Sequence, residues 1–216
     1  MIAITRAVSP TFDRCELTHL AREPIDVARA TEQHRAYERL LARLGAEIVT
    51  APPAPDAPDA VFVEDTALVL DEIAIVTRPG APSRRAETAG IAATLAAYRP
   101  VRRMEAPATL DGGDVLRLGR TLCIGRSGRT NDDGIAALAS MAAPFGYTVV
   151  PVEFSGCLHL KSAVTALDDE RLLLNPAWVS PASLPAREVV CVDEREPHAA
   201  NALRLGARSS FRRSFR

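Results

Sequence analysis

The stretch DVLRLGRTLCIG at residues 114–125 decides the fold class. Apolar residues recur on both sides of Gly119-Arg120, a pattern that predicts two strands joined by a tight turn. A helical pattern follows from about 131 to 145, ends at Gly146 and leads into an apolar segment at 147–152. The stretch therefore predicts a unit made of two strands, a helix and a further strand.

The same succession of patterns occurs on either side of this unit. An earlier round has apolar segments at 61–70 and 73–77, a helical stretch at about 83–98 and a strand at 101–104, and a later round has strands at 159–167, 171–175 and 189–192. The rounds open at Glu64, Asp114 and Ser162, which lie 50 and 48 residues apart. Such a period indicates repeats that bury their faces on their neighbours. We predict an α/β fold of repeated ββαβ-like units.

The last part of the chain begins this pattern again and then leaves it. Residues 201–206 echo residues 114–119, but 207–216 show no alternation and are rich in arginine. We expect a single domain over 1–205 whose last unit is incomplete, followed at 207–216 by an aberrant, disordered basic tail of the kind that a frameshift leaves. A basic arm for nucleic acid is the alternative interpretation of this tail.

The composition excludes several classes of protein. With 47% hydrophobic and 25% charged residues, the 216-residue chain is of globular type, and its net charge of −1 does not favour nucleic acid or an anionic membrane as partner. No apolar run reaches the roughly 18–20 residues of a membrane-spanning helix, and the start lacks a signal-peptide pattern. The four cysteines form no CxxC pair, which argues against a zinc knuckle. These features predict a soluble, cytoplasmic protein.

Polar residues cluster where each repeat opens. They are Asp59, Glu64 and Asp65 in the first repeat, Asp111 and Asp114 in the second, and His159, Lys161 and Ser162 in the third. If these openings converge, carboxylates and one histidine would line a cleft that suits a planar, cationic guanidinium. Each feature also has a purely structural interpretation: a solvated hairpin start, a turn at Gly112-Gly113, or a core position for the histidine.

Two arginines and the absence of a ligand cluster bear on what the cleft binds. Arg84 and Arg129 lie near predicted helix starts, where a cation opposes the helix dipole, so each is either an anion ligand or a solvated side chain. The glycine pair lacks the spacing of a phosphate-binding loop. One histidine with scattered acids makes a metal site improbable. We expect no metal and no organic cofactor.

Six short strings occur in an order that resembles one enzyme family. They are IDVARA (25–30), FVED (62–65), RPGAPSRR (78–85), LDGGD (110–114), GRTN (128–131) and LHLKS (158–162). Together they resemble dimethylarginine dimethylaminohydrolase, of the guanidine-modifying pentein superfamily, over about residues 1–205. Arginine deiminases, the close relatives, typically have an aspartate after His-Leu, where this chain has Lys161.

The resemblance implies a fold and a set of residue roles. The fold would be a pentein-type α/β propeller of five ββαβ-like units, and Asp111 would orient the catalytic His159. The substrate-binding residues would be Glu64 and Asp65 for the guanidinium, Arg84 and Arg129 for the α-carboxylate, Asp59 with a backbone carbonyl within 17–20 for the α-amine, and Ser162 in the pocket wall. The substrate would be a methylated arginine.

The chemistry implied by the family needs a residue that this chain does not align. A cysteine thiolate attacks the guanidinium carbon, the histidine protonates the departing amine, and water releases citrulline. The family's nucleophile lies near the C-terminus, and Cys157 is a substitute with a different attack geometry. We expect absent or very low hydrolysis. The alternatives are a binding module without turnover, an arginine deiminase-like enzyme, and an open, unstable fold; the oligomeric state is left open.

Overall fold

The computed structural model describes residues 1–18, 21–205 and 208–210, the last three by their backbone. The chain forms two compact units, Met1–Arg103 and Met104–Arg216. The single domain that the sequence predicts over 1–205 stays a prediction.

The first unit contains two sheets. In one, β1 (Ile2–Thr5) pairs in parallel with β2 (Glu47–Thr50), and α1 (Val27–Arg43) connects the two strands. In the other, β3 (Ala67–Val69) lies antiparallel to β4 (Ala74–Val76), which is parallel to β5 (Val101–Arg103). The helix α2 (Thr88–Leu95) connects β4 to β5.

The second unit contains two three-stranded sheets and a hairpin. The sheets consist of β6 (Val115–Leu118), β7 (Thr121–Gly125) and β8 (Thr148–Val152), and of β9 (Val164–Ala166), β10 (Arg171–Leu174) and β11 (Glu188–Cys191). The helix α3 (Asp132–Ala142) connects β7 to β8, α4 (Leu160–Ala163) precedes β9, and β12 (Leu203–Leu205) pairs with β13 (Arg208–Ser210).

All three three-stranded sheets share one order. The first strand is antiparallel to the second, and the second is parallel to the third. A parallel pair needs a crossover connection, which α2 and α3 supply in two of the sheets. The predicted α/β class with repeated ββαβ-like units is confirmed.

The middle strands form the core of these sheets. Three consecutive residues of β7, Leu122, Cys123 and Ile124, are fully buried, and all of β4 is buried as well. Consecutive side chains of a strand point to opposite faces, so both faces of these strands are covered. Burying one Leu or Ile side chain stabilises a fold by about 1.5–3 kcal/mol.

The long helices begin at the caps that their sequences supply. Asp26 accepts the backbone N–H of Arg29 at 3.0 Å, and Asn131 accepts that of Gly134 at 2.8 Å. Gly45 follows α1 with a φ of 93°, a left-handed conformation that glycine adopts without steric cost.

Three residues of the predicted tail take part in a short hairpin. Arg208–Ser210 pairs antiparallel with Leu203–Leu205 although its sequence has no apolar alternation. A β-ladder is made by backbone N–H and C=O groups, so side-chain patterning is not required for a short hairpin. The disordered tail expected over 207–216 stays a prediction. The remainder of the predicted tail, 207 and 211–216, lies outside the described residues.

No helix in the part of the chain that the structure describes combines the length and apolarity needed to cross a bilayer. The cytoplasmic location expected from the sequence stays a prediction.

We predict that Gly134→Ala destabilises the second unit. Gly134 lies in the first turn of α3, and a Cβ there would overlap the carbonyl oxygen of Thr109. We expect the free energy of unfolding to fall by roughly 1–3 kcal/mol, because the clash outweighs the better helix propensity of alanine. Urea denaturation measures the change. Gly128→Ala is the matched control, since a Cβ at Gly128 would have nothing within 4 Å; equal losses in both variants would contradict the explanation.

Candidate active site

Arg84 is the centre of a buried ion-pair network in the first unit. It lies in a 3-10 helix over Pro82–Glu87, and only 4% of the residue is exposed. Its Nη1 lies 2.6 Å from Asp65 Oδ2, while its Nε and Nη2 donate to the two carboxylate oxygens of Glu87 at 3.2 and 3.0 Å. The pair with Glu87 has the bidentate geometry that suits a guanidinium.

The remaining contacts of Arg84 complete its coordination. Nη2 also donates to the carbonyl oxygens of Asp59 and Phe62, each at 3.2 Å. Burial by itself lowers the pKa of Arg84, but the hydrogen bonds to Glu87 and the charge of Asp65 raise it above its usual range. Arg84 is therefore charged and bound inside the first unit, and its predicted role toward a substrate carboxylate stays a prediction.

The three acidic residues predicted in the first unit differ in their environments. Asp59 is buried, and its two carboxylate oxygens accept the backbone N–H of Glu16 at 3.2 and 3.1 Å. Asp65 is buried against Arg84, whereas Glu64 beside it is exposed. Residues 19 and 20 of the segment predicted to help bind an α-amine lie outside the described residues.

His159 lies between two buried carboxylates in the second unit. Its Nδ1 is 3.4 Å from Asp114 Oδ1, and its Nε2 is 3.9 Å from Asp111 Oδ2. Both aspartates are fully buried, while 13% of the His159 side chain is exposed. The partly exposed imidazole can thus exchange protons with a bound molecule while the two buried carboxylates fix the position of its ring.

The same carboxylates connect His159 to the loop that carries Arg129. Arg129 Nη1 lies 3.9 Å from Asp111 Oδ2, and 10% of the Arg129 side chain is exposed. Ser127 Oγ and Thr130 Oγ1, on either side of Arg129, donate to Asp114 Oδ2 at 2.6 and 2.7 Å. The second unit therefore brings together an imidazole, a guanidinium and two carboxylates.

Ser162 lies one turn after the histidine. It belongs to α4, its backbone N–H donates to the carbonyl oxygen of His159 at 2.9 Å, and it is half-buried. Its predicted place in the pocket wall stays a prediction.

Two acidic residues receive no individual role from the sequence and have one in the structure. Glu87 holds Arg84 in place, and Asp114 contacts His159. The first could have been found from its spacing, because oppositely charged residues three apart on a helical turn are neighbours. For Asp114 the available signal was its position three residues after Asp111, which places both on one turn. The spacing does not indicate which of the two aspartates lies closer to the imidazole.

Cys157 lies near the histidine without the properties of a nucleophile. Its Sγ is 3.3 Å from the carbonyl oxygen of His159. Burial, together with the negative charge of Asp114, raises the pKa of the Cys157 thiol to about 11. At neutral pH this residue is therefore a thiol and not a thiolate.

Known proteins resemble this chain along most of its length. It is 48% identical over 168 residues to the N(G),N(G)-dimethylarginine dimethylaminohydrolase of Streptomyces coelicolor, covering 77% of this chain and 65% of the relative. It is 37% identical to the enzyme of the same name from Pseudomonas aeruginosa, covering 96% and 82%. No family model matched the chain.

Solved structures show the same fold. A cysteine-to-serine mutant of the Pseudomonas enzyme, complexed with citrulline, superposes with a TM-score of 0.89 at 35% identity, covering 96% of this chain and 82% of that one. The N-terminal domain of a cyanobacterial arginine dihydrolase, at 21% identity and a TM-score of 0.75, shares the fold alone. The predicted pentein-type fold class is confirmed. The chain spans just under two thirds of the length of the Streptomyces relative, at 65%.

We predict that Arg84→Ala strongly destabilises the first unit. The variant would leave the buried carboxylates of Asp65 and Glu87 without their cation, a change that costs about 3–5 kcal/mol. Thermal and urea unfolding measure it. Arg126→Ala is the matched control, since Arg126 also pairs with two carboxylates but in an exposed position, and little or no loss is expected. Similar losses for both arginines would show that burial of the network is not what matters.

Proposed function

The chain belongs to the dimethylarginine dimethylaminohydrolase family, and we propose that its site binds N-methylated arginines. Within the family the reaction replaces the methylated nitrogen of the guanidinium by oxygen, giving citrulline and a methylamine. The citrulline bound to the Pseudomonas relative supports this class of ligand.

One observation carries the proposal: the imidazole of His159 is held between two buried carboxylates beside Arg129. An amino acid with a guanidinium side chain carries an anionic carboxylate and two cationic groups. An arginine with a partly exposed side chain suits the carboxylate of the ligand, and carboxylate side chains suit its two cationic groups. The combination fits an arginine derivative better than it fits a neutral or purely anionic ligand.

The family resemblance supplies the proposed roles of the other binding residues. Glu64 and Asp65 accept the guanidinium, Asp59 accepts the α-amine and Ser162 lines the pocket. Arg129 binds the α-carboxylate. Arg84 contributes to this role only if it exchanges one of its present bonds, so Arg129 is the stronger candidate.

In the family reaction, the histidine at the position of His159 takes part in two proton transfers. A thiolate adds to the guanidinium carbon, and the bond from that carbon to the methylated nitrogen breaks as His159 gives a proton to the departing amine. Water, deprotonated by the imidazole, then adds to the thiouronium carbon, and the sulfur leaves as thiolate with citrulline as product. The imidazole thus acts first as acid and then as base.

We infer that none of the four cysteines of this chain supplies the thiolate that the family reaction uses. Cys15 and Cys123 are buried, and burial raises the pKa of both thiols. Cys157 is half-buried with its pKa raised to about 11, and Cys191 is exposed at the end of β11. We propose that the 216-residue chain binds methylated arginines with little or no turnover.

Calorimetry and citrulline assays on the 216-residue chain test this proposal. We expect asymmetric dimethylarginine and citrulline to bind, Arg129→Ala to weaken both at least tenfold, and citrulline formation to stay at the level of the uncatalysed control. Gly128→Ala, with the same loop and an intact guanidinium, is the control for binding. Citrulline from dimethylarginine would overturn the absence of turnover, faster citrulline from arginine would favour a deiminase, and no binding would overturn the function itself.

Alkylation separates Cys157 from a catalytic cysteine. With its pKa raised from 9.0 to about 11, Cys157 carries about one hundredth of the thiolate of an ordinary cysteine at pH 7.5. We expect iodoacetamide to modify Cys191 first and Cys157 about a hundredfold more slowly, with the rate at Cys157 still rising between pH 9 and 11. Peptide mass spectrometry over time measures both. Rapid modification of Cys157 at neutral pH would make it a candidate nucleophile.

A further inference from the structure

We propose that Arg6 is a positioning residue for Asp59; its effect on a ligand rests on the proposed function, in which Asp59 accepts the α-amine. The sequence patterns assign no role to Arg6. The position of the Asp59 carboxylate is a property of the ligand-free chain and can be measured by itself.

Arg6 directly follows β1 and is a buried cation, with only 1% of the residue exposed. Its Nη2 donates to the carbonyl oxygen of Glu87 at 3.1 Å, and its Nη1 donates to that of Ala60 at 3.5 Å, the outer limit of a hydrogen bond. Burial lowers the pKa of Arg6 and the charge of Glu87 raises it, but a guanidinium stays charged in a protein. Arg6 thus brings a positive charge to the backbone beside Asp59.

The placement of Arg6 is unfavourable for stability in three respects. A buried cation loses its hydration. Among the residues that the structure describes, the Nε of Arg6 has no hydrogen-bond partner. The guanidinium also lies at the first turn of α2, because a Cβ added to Gly90 would be 3.0 Å from Nη2, and a cation there opposes the helix dipole. Side chains that break local rules in this way are typical of functional sites.

The segment that begins with Arg6 holds the loop that leads to Asp59. Ser9 is buried, and its Oγ donates to the carbonyl oxygen of Pro55 at 2.6 Å. The backbone N–H of Glu16 donates to both carboxylate oxygens of Asp59 at 3.2 and 3.1 Å. Arg6 adds a contact to the residue that directly follows Asp59. Residues 6–16 therefore contact this loop before, at and after the aspartate.

Two buried guanidinium groups bind consecutive carbonyl groups next to the Asp59 side chain. Arg84 Nη2 donates to the carbonyl oxygen of Asp59 at 3.2 Å, and Arg6 Nη1 donates to that of Ala60. Each residue has only two soft backbone dihedrals, so fixing two consecutive carbonyl groups restricts the backbone at Asp59. The direction of its carboxylate is restricted with it.

Arg6 also acts on a repulsion between two buried carboxylates. Burial raises the pKa of Glu87, and the hydrogen bond and charge of Arg84 lower it. The charge of Asp59 raises the pKa of Glu87 as well, while the charge of Arg6 lowers it. Without Arg6, the compensation of this repulsion would fall to Arg84 alone. We therefore expect the carboxylate of Asp59 to move away from Glu87 when Arg6 is replaced.

Nitrogen-15 NMR of the ligand-free 216-residue chain tests the position of the Asp59 carboxylate. The amide signal of Glu16 reports its hydrogen bond to this carboxylate, and Asp59→Ala shows the signal without the acceptor. We expect Arg6→Met, which has neither charge nor donor, to shift the Glu16 amide proton in the same direction as Asp59→Ala. Arg6→Lys restores the cation and should return the signal toward that of the unaltered chain.

Calorimetry with two ligands tests the consequence for binding. The ligands are asymmetric dimethylarginine and its analogue in which hydrogen replaces the α-amino group. Since Asp59 is proposed to accept that group, we expect Arg6→Met to weaken dimethylarginine binding about tenfold and to leave the analogue nearly unchanged. Arg6→Lys should recover most of the loss. Arg99→Met is the matched control and should affect neither ligand, because Arg99 also donates to two backbone carbonyls of the first unit but is exposed.

Equal weakening of both ligands in Arg6→Met, or an unchanged Glu16 amide signal, would overturn the positioning role. If Arg6→Met does not fold, Gly90→Ala decides, because its Cβ would press on the Nη2 of Arg6. We then expect a smaller Glu16 shift in the same direction and a loss confined to dimethylarginine, and no shift would overturn the proposal. A shifted Glu16 signal in a chain that binds neither ligand would leave the positioning role standing and remove the proposed function.

Discussion

The carboxylate of Asp114 is the group on which the arrangement of the second unit depends. A fully buried carboxylate costs several kcal/mol unless hydrogen bonds replace its water. Here Ser127, Thr130 and the backbone N–H of Leu160 donate to Asp114, and Nδ1 of His159 lies 3.4 Å away. These contacts come from the loop that carries Arg129 and from His159 and Leu160 at the start of α4. The same contacts therefore offset the cost of burying the carboxylate and position the residues of the site.

The first unit also buries a charged side chain that needs compensation, but here the buried group is a cation. Arg84 is buried as a cation, and Glu87 and Asp65 compensate it through the side chain while two carbonyls complete its donors. Glu87 compensates a cation inside the protein, which explains why a substrate-based interpretation of the sequence overlooks it. An arginine so completely bound is pre-organised, and it also holds the Asp65 carboxylate in one orientation.

Much of this was accessible from the sequence because it depends on local rules. The hairpins, the crossover helices and their repeat follow from apolar periodicity, and the caps at Asp26 and Asn131 follow from side chains that accept backbone N–H groups. Apolar periodicity does not indicate the short strand at Arg208–Ser210, because backbone pairing alone forms it.

By itself the sequence determined the α/β class, the succession of strands and helices, the family resemblance and the identity of the polar residues at each opening. Only the tertiary structure decided how those polar residues divide their tasks. Asp111 and Asp114 are the same residue type on one turn, and their difference arises from which nitrogen of His159 each one approaches. That distance is set by packing between segments some 45 residues apart in the chain, a relation that spacing along the sequence does not contain.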